Sequence, residues 1–232
     1  MYLLTETASP FALERWAAFF ANFGQFAKGF FYTLGISIGA LIVALLLGLI
    51  FGAMSSTHNK VLRGISRVYV EIFQNTPLLV QFVVVFYGIS ILTDGHVMIS
   101  ISLTAILCVG VYTGAYISEI IRTGIEAVPK GQTEAALSQG FTYADTMRII
   151  ILPQAVRTIL PPLTNQVVNL IKNTSTVAII SGADIMFTAK AWAYDTTNYV
   201  PAFAGAAFLY FIMCFPLATW ARRKEEENKK AY

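Results

Sequence analysis

The chain has 232 residues, of which 56% are hydrophobic and only 12% charged, and its mean hydropathy is +0.63. An ordinary soluble domain carries about 25% charged residues, so this composition excludes one and points to an all-α integral membrane protein. The net charge of +3 is spread over the connections between apolar segments, which excludes the basic stripe of a nucleic-acid binder.

Through residues 1–28 and into the first apolar window, Trp16, Phe19, Phe20, Phe23, Ala27 and Phe30 recur at helical spacing, with Asn22, Gln25 and Lys28 on another face. The pattern predicts an amphipathic helix in the outer membrane interface, or else a plain extension of the first span. Five windows are long and apolar enough to cross about 30 Å of hydrocarbon: 29–54, 72–92, 97–121, 161–182 and 201–221. The first lacks a positive leading region and a small-residue cleavage site, so it reads as a retained span and not a signal peptide. Its Gly35, Gly39, Gly48 and Gly52, with Ser37 between, predict close packing against other helices.

The second window opens on Gln74-Asn75-Thr76-Pro77-Leu78-Leu79-Val80-Gln81. Pro77 frees backbone carbonyls, and Asn75, Thr76 and Gln81 can satisfy these or a ligand. The third window ends with Glu119 three residues before Arg122, the spacing of a helical salt bridge. Cys108 and Cys214 fall in separate spans and read as buried, inert thiols, not a disulfide or metal pair. Residues 222–232, with the Glu225-Glu226-Glu227 block, read as a solvated tail.

Lys and Arg set the expected orientation. Lys60, Arg63 and Arg67 occupy the 55–71 connection, and Arg122, Lys130, Arg148 and Arg157 the 122–160 connection. The tail adds Arg222, Arg223, Lys224, Lys229 and Lys230, whereas the other two connections hold only Lys190. By the positive-inside rule the amino terminus is outside, and the 122–160 loop and the tail are cytoplasmic.

That loop is ordered beyond what a connector needs. Thr133 is a candidate N-cap for a short helix starting at Glu134, whose carboxylate suits the positive end of the helix dipole. Gly140 suits the left-handed residue that stops a helix, and Thr142-Tyr143-Ala144-Asp145 reads as a second capping signature. Pro153 is expected to interrupt the helix beyond it. The small Ala135 and Ala136 beside Glu134 let another protein's groove approach the backbone closely.

On the fourth window Asn165, Asn169, Lys172, Asn173 and Thr176 share one helical face. A lysine within a span costs about 2.5–3.5 kcal/mol on insertion scales, so Lys172 needs a partner or a wet cavity. Two readings stand: the face lines a substrate path, or Lys172 pairs with Glu119 or snorkels to one surface.

Glu134-Ala135-Ala136, three residues, Gly140, nine residues, then Ile150-Ile151-Leu152-Pro153 resembles the coupling loop of binding-protein-dependent ABC importer permeases. The likeness widens through Asn75-Thr76-Pro77-Leu78-Leu79-Val80-Gln81, Ser118-Glu119-Ile120-Ile121-Arg122, Val128-Pro129-Lys130-Gly131-Gln132, Met147-Arg148-Ile149-Ile150-Ile151-Leu152-Pro153-Gln154-Ala155 and Lys172-Asn173-Thr174-Ser175. These strings look like the membrane subunit of polar amino-acid ABC importers over residues 29–220, departing at Gln74-Asn75, where many members carry Arg-Gly.

The resemblance implies a type I importer permease of five transmembrane helices in the bacterial inner membrane. Residues 29–221 would form the permease core, with 1–28 as an outer interfacial segment and 222–232 as a cytoplasmic tail. It also implies a second permease copy or homologue, two cytoplasmic ATPase subunits and an extracytoplasmic amino-acid-binding protein. No Gly-x-x-x-x-Gly-Lys-Ser/Thr motif occurs, so ATP hydrolysis belongs to a partner, and no cofactor is expected. Glu134, Ala135, Ala136, Gly140, Ile150, Leu152 and Pro153 become the ATPase-coupling candidates. Thr76, Gln81, Glu119, Asn165, Asn169, Lys172, Asn173 and Thr176 are the candidates for the substrate pathway.

One cation and three amides on the fourth span favour glutamate, glutamine or aspartate over basic amino acids or cystine. A secondary carrier or channel subunit would suit the polar faces equally well but has no use for the ordered loop. A membrane-embedded enzyme is disfavoured because His, Cys and paired carboxylates do not cluster.

Overall fold

The structure, a computed structural model, describes residues 9–230. Residues 1–8 of the segment expected at the outer interface, the last two residues of the tail, and the side chains of Glu225, Glu227, Asn228, Lys229 and Lys230 lie outside it. Helices α1 (Leu13–Ala21), α2 (Phe23–Ser55) and α3 (Lys60–Gln74) are followed by α4 (Leu78–Val83). A π-helical turn (Val84–Gly88) leads into α5 (Ile89–Leu92), then α6 (Ile101–Glu126), α7 (Lys130–Ser138) and α8 (Tyr143–Asp145). A second π segment (Thr146–Ile151) precedes α9 (Leu152–Asn173), which tightens to a 3-10 helix (Thr174–Ile180) before α10 (Ile185–Thr196) and α11 (Tyr199–Lys230).

Among the described residues, three helices are long and apolar enough to cross a membrane: α2, α6 and the first 26 residues of α11. The α3–α5 pair, Lys60–Gln74 with Leu78–Leu92, makes four if its 97° bend belongs to one span. The fifth expected window, 161–182, does not meet that standard. The α9 helix carries Arg157, Asn165, Gln166, Asn169 and Lys172 on its surface, and its apolar residues are too few. The expected 55–71 connection is itself mostly helix, because the Asn59 side chain accepts from Val61 N at 2.9 Å and Leu62 N at 3.4 Å and so caps α3.

The core of the bundle is the α2–α6 contact, where Ile36, Ala40 and Ala44 meet Ala105, Cys108, Val109 and Ile117. Small residues bring the two backbones together, the membrane solution to packing without a hydrophobic effect. A Cβ on Gly48 would stand 2.4 Å from Ile117 Cγ2, and one on Gly110 would stand 2.7 Å from Val43 Cβ. Gly39 and Gly52 are similarly close to Ile106 and Ile121, but Gly35 faces open space and takes no part. Cys108 is buried and Cys214 half-buried, and both are free thiols.

A second cluster joins α1, α2, α9, α10 and α11 through Phe19, Phe26, Ile171, Ile185, Trp192 and Leu209. The α1 helix is a separate element, not an extension of the first span: the chain breaks at Asn22, and Phe19 turns inward against Phe26 and Trp192. Asp184 holds this region. It is fully buried and caps α10, accepting from Phe187 N at 2.8 Å, Met186 N at 3.2 Å and Tyr210 Oη at 3.0 Å. Thr33 Oγ1 of α2 accepts the remaining first-turn donor, Ile185 N, at 3.1 Å. Nothing in the sequence pattern singles out Asp184, because the tertiary bonds at this helix start span 26 and 152 residues of chain.

Candidate functional site: the coupling loop and a charged cavity

The α7 helix begins at Lys130 behind Pro129, which sits at its N-cap and brings no side-chain cap. Thr133 is therefore inside the helix, one turn beyond its true start. The stop is as expected. Gly140 has φ +87, its N–H donates to Leu137 O at 3.0 Å, and Phe141 N donates to Ala136 O at 3.2 Å. Those two bonds form a Schellman motif, which needs a left-handed residue at Gly140. Thr142 then caps α8: its Oγ1 accepts from Asp145 N at 3.2 Å and donates to Asp145 Oδ2 at 2.5 Å.

Pro153 does not end the following helix. It occupies the first turn of α9, and the chain just before it is π-helical over Thr146–Ile151. Proline lacks an N–H and crowds the carbonyl four residues back, and the wider π turn relieves both. Ala136 and Ile151 turn into the protein, leaving Glu134, Ala135, Gly140, Leu152 and Pro153 exposed and Ile150 half-buried. Leu137, 47% exposed between Glu134 and Gly140, joins this surface although the spacing pattern passes over it. Tyr143 lies against His58 of the α2–α3 turn, ring centres 5.1 Å apart, so the loop touches the first turn of the bundle as well.

The break between α3 and α4 is bridged by side chains. Thr76 Oγ1 donates to Ile72 O at 2.8 Å, and Asn75 Nδ2 donates to Glu71 O at 2.8 Å. Gln81 Nε2 lies 2.8 Å from Thr76 Oγ1, 3.1 Å from Thr76 O and 3.3 Å from Phe73 O. Thr76 and Gln81 thus spend their donors on the carbonyls that Pro77 releases, which fixes the bend.

On α9, Asn165, Asn169 and Lys172 are exposed, while Asn173 and Thr176 are half-buried. Thr176 lies in the 3-10 segment, whose three residues per turn set it over Asn173. Glu119 does not reach Lys172. Among the described residues its ion pair is with Arg122, which also pairs with Glu126 at 2.6 Å.

Glu119 is the only pathway candidate that lines the cavity between α3 and α6. That cavity, about 710 Å³, has Lys60, Arg63, Arg67 and Glu71 on one wall and Glu119, Arg122 and Glu126 on the other. Its α3 residues recur every three or four positions, a signal the sequence carries but which reads equally as an ordinary charged connection.

Residues 44–225 match the model of the family described as binding-protein-dependent transport system inner membrane component. The chain is 37% identical over 216 residues to a probable glutamine ABC transporter permease of Bacillus subtilis, covering 92% of this chain and 97% of that one. It is 33% identical over 208 residues to the glutamate/aspartate import permease of Escherichia coli K12, covering 82% and 85%. Among solved structures, an amino acid ABC transporter crystallised with histidines superposes with a TM-score of 0.84 at 30% identity, covering 91% of this chain and 98% of that one. An inward-facing methionine ABC transporter, at 17% identity and a TM-score of 0.69, shares the fold. The chain belongs to the family of inner membrane components of binding-protein-dependent transport systems, and its helices have the type I permease fold.

Proposed function

We propose that the chain forms the translocation pathway of an ATP-driven importer of polar amino acids, with glutamate, glutamine and aspartate as its first candidates. Basic amino acids and cystine come next. Relatives that carry glutamine and glutamate/aspartate in their names support this substrate class. Two ATPase subunits on the cytoplasmic side, an amino-acid-binding protein outside and a second permease complete the assembly. The amino terminus faces out and the carboxyl tail faces in. Residues 29–221 are the permease core, flanked by the outer segment and the cytoplasmic tail.

The observation that carries the reading is α7, a short helix stopped by Gly140 and presenting Glu134, Ala135 and Leu137 outward. ATP binding draws the two ATPases together. The loop from Glu134 to Pro153, seated on them, carries the motion through the π segment into α9 and through the His58–Tyr143 contact into the α2–α3 turn. The inner half of the pathway closes and the outer half opens, an alternating-access motion of packed bundles. Substrate then passes the α9 face that carries Asn165, Asn169, Lys172, Asn173 and Thr176.

Gly140→Val tests this. A β-branched residue at φ +87 costs about 1–3 kcal/mol and unseats the Schellman stop. The spans should insert at normal levels while ATPase association and uptake fall together. Full substrate-stimulated ATPase activity in the variant would overturn the assignment.

A further inference from the structure

The cavity between α3 and α6 has a charge imbalance that the coupling mechanism does not use. Its lining holds four cations, Lys60, Arg63, Arg67 and Arg122, and three carboxylates, Glu71, Glu119 and Glu126, a formal net of +1. The carboxylates are engaged: Arg122 serves Glu119 and Glu126, and Glu71 accepts from Asn75 Nδ2 at 2.9 Å. Lys60, Arg63 and Arg67 have no carboxylate partner among the described residues.

The helix that carries these three cations is fixed to the bundle. Two α3 side chains do this: Ser66 Oγ donates to Phe51 O at 2.8 Å, and Tyr69 Oη donates to Val111 O at 2.7 Å. At the far end Gln74 Nε2 donates to Ala115 O at 3.2 Å and closes the cavity floor. The spacing of three and four residues puts Lys60, Arg63 and Arg67 on one stripe of that anchored helix, facing the cavity. A row of exposed cations along one wall of a concave cavity attracts an oxyanion, and two guanidinium groups provide forked donors for it.

We propose that this cavity is an anion-binding site, with Arg63 and Arg67 as the main ligands of a carboxylate or phosphate group and Lys60 at its mouth. The side-chain carboxylate of a transported acidic amino acid and the phosphate of an anionic lipid headgroup share this chemistry. The first source rests on the importer reading; the second does not.

The test compares the intact importer, purified with its partner subunits, with its Arg63→Gln/Arg67→Gln double variant and with an Arg63→Lys/Arg67→Lys variant that keeps the charge. In nanodiscs of neutral phosphatidylcholine, equilibrium dialysis measures glutamate and glutamine. If an amino acid is the anion, glutamate binds about tenfold more weakly to the Gln variant, glutamine is unchanged, and the Lys variant recovers most of the loss. In nanodiscs containing phosphatidylglycerol, native mass spectrometry counts retained lipid. If a headgroup is the anion, the Gln variant loses retained phosphatidylglycerol and the Lys variant does not. Equal glutamate affinity and equal lipid retention in all three proteins overturn the anion site. Wild-type protein that takes up no amino acid on ATP addition would sink the importer reading instead, and the lipid comparison would still decide the site.

Discussion

Asp184→Ala should loosen the second cluster more than any surface change, and the structure sets the size of the effect. The carboxylate is fully buried and accepts from two first-turn amides of α10 and from Tyr210 Oη. Loss of an N-cap costs about 1 kcal/mol, and loss of the Tyr210 bond to a buried carboxyl about 1–3 kcal/mol, although Thr33 and Thr174 remain beside the hydroxyl. The total is about 2–4 kcal/mol, which for a chain of this size lowers Tm by roughly 5–15 °C. Asp184→Asn keeps one acceptor oxygen and should lose less than half of that. Thermal unfolding of the detergent-solubilised protein, followed by tryptophan fluorescence, reads the loss directly because Trp192 packs in the same cluster. If the Ala and Asn variants both melt within about 2 °C of the wild type, the network does not hold α10 to α2 and α11 as described.

Gly48→Val drives a side chain into Ile117 and should cost about 1–3 kcal/mol of stability, whereas Gly35→Val, facing open space, should be silent; equal melting shifts would refute the α2–α6 packing. Cysteines placed at Asp94 and Asp195 should label from outside, and those at Lys60 and Asp145 only after the membrane is opened; external labelling at Asp145 reverses the orientation. Lys172→Met should preserve assembly and weaken acidic substrate by about 1–3 kcal/mol, read from uptake at varied concentration. Because Glu119 pairs with Arg122, a Lys172→Met/Glu119→Gln cycle should show stability coupling below about 0.5 kcal/mol, and a larger value restores the rejected pair.

The parts of the fold that are legible in the sequence are those coded locally. Hydropathy locates α2, α6 and α11 because each is a long apolar run, and Gly140 announces a helix stop because a left-handed turn favours glycine. The helix start at Lys130 escapes notice because Pro129 caps it without a side-chain signal, while Thr133 imitates one. The 97° bend is visible only as Pro77 and its polar neighbours, whose donors serve the broken helix. Long-range arrangements are not legible. The α3 stripe of Lys60, Arg63 and Arg67 looks like any basic connection until α6 is placed opposite it. The Glu119–Arg122 pair, three residues apart on one helix, is legible, but that Lys172 takes no share of Glu119 is seen only in the folded chain.

Everything in the coupling mechanism depends on α7 being the surface on which the ATPase sits. Site-specific photo-crosslinking from residue 137, in the assembled importer in membranes, probes that contact itself, with residue 91 at the α5 end, 73% exposed, as the control. A probe at Leu137 should capture the ATPase subunit, in a yield that changes when ATP is added, while one at Ile91 captures none. A complex that assembles and hydrolyses ATP with no cross-link from residue 137, or with equal capture from residue 91, would contradict the docking role of α7.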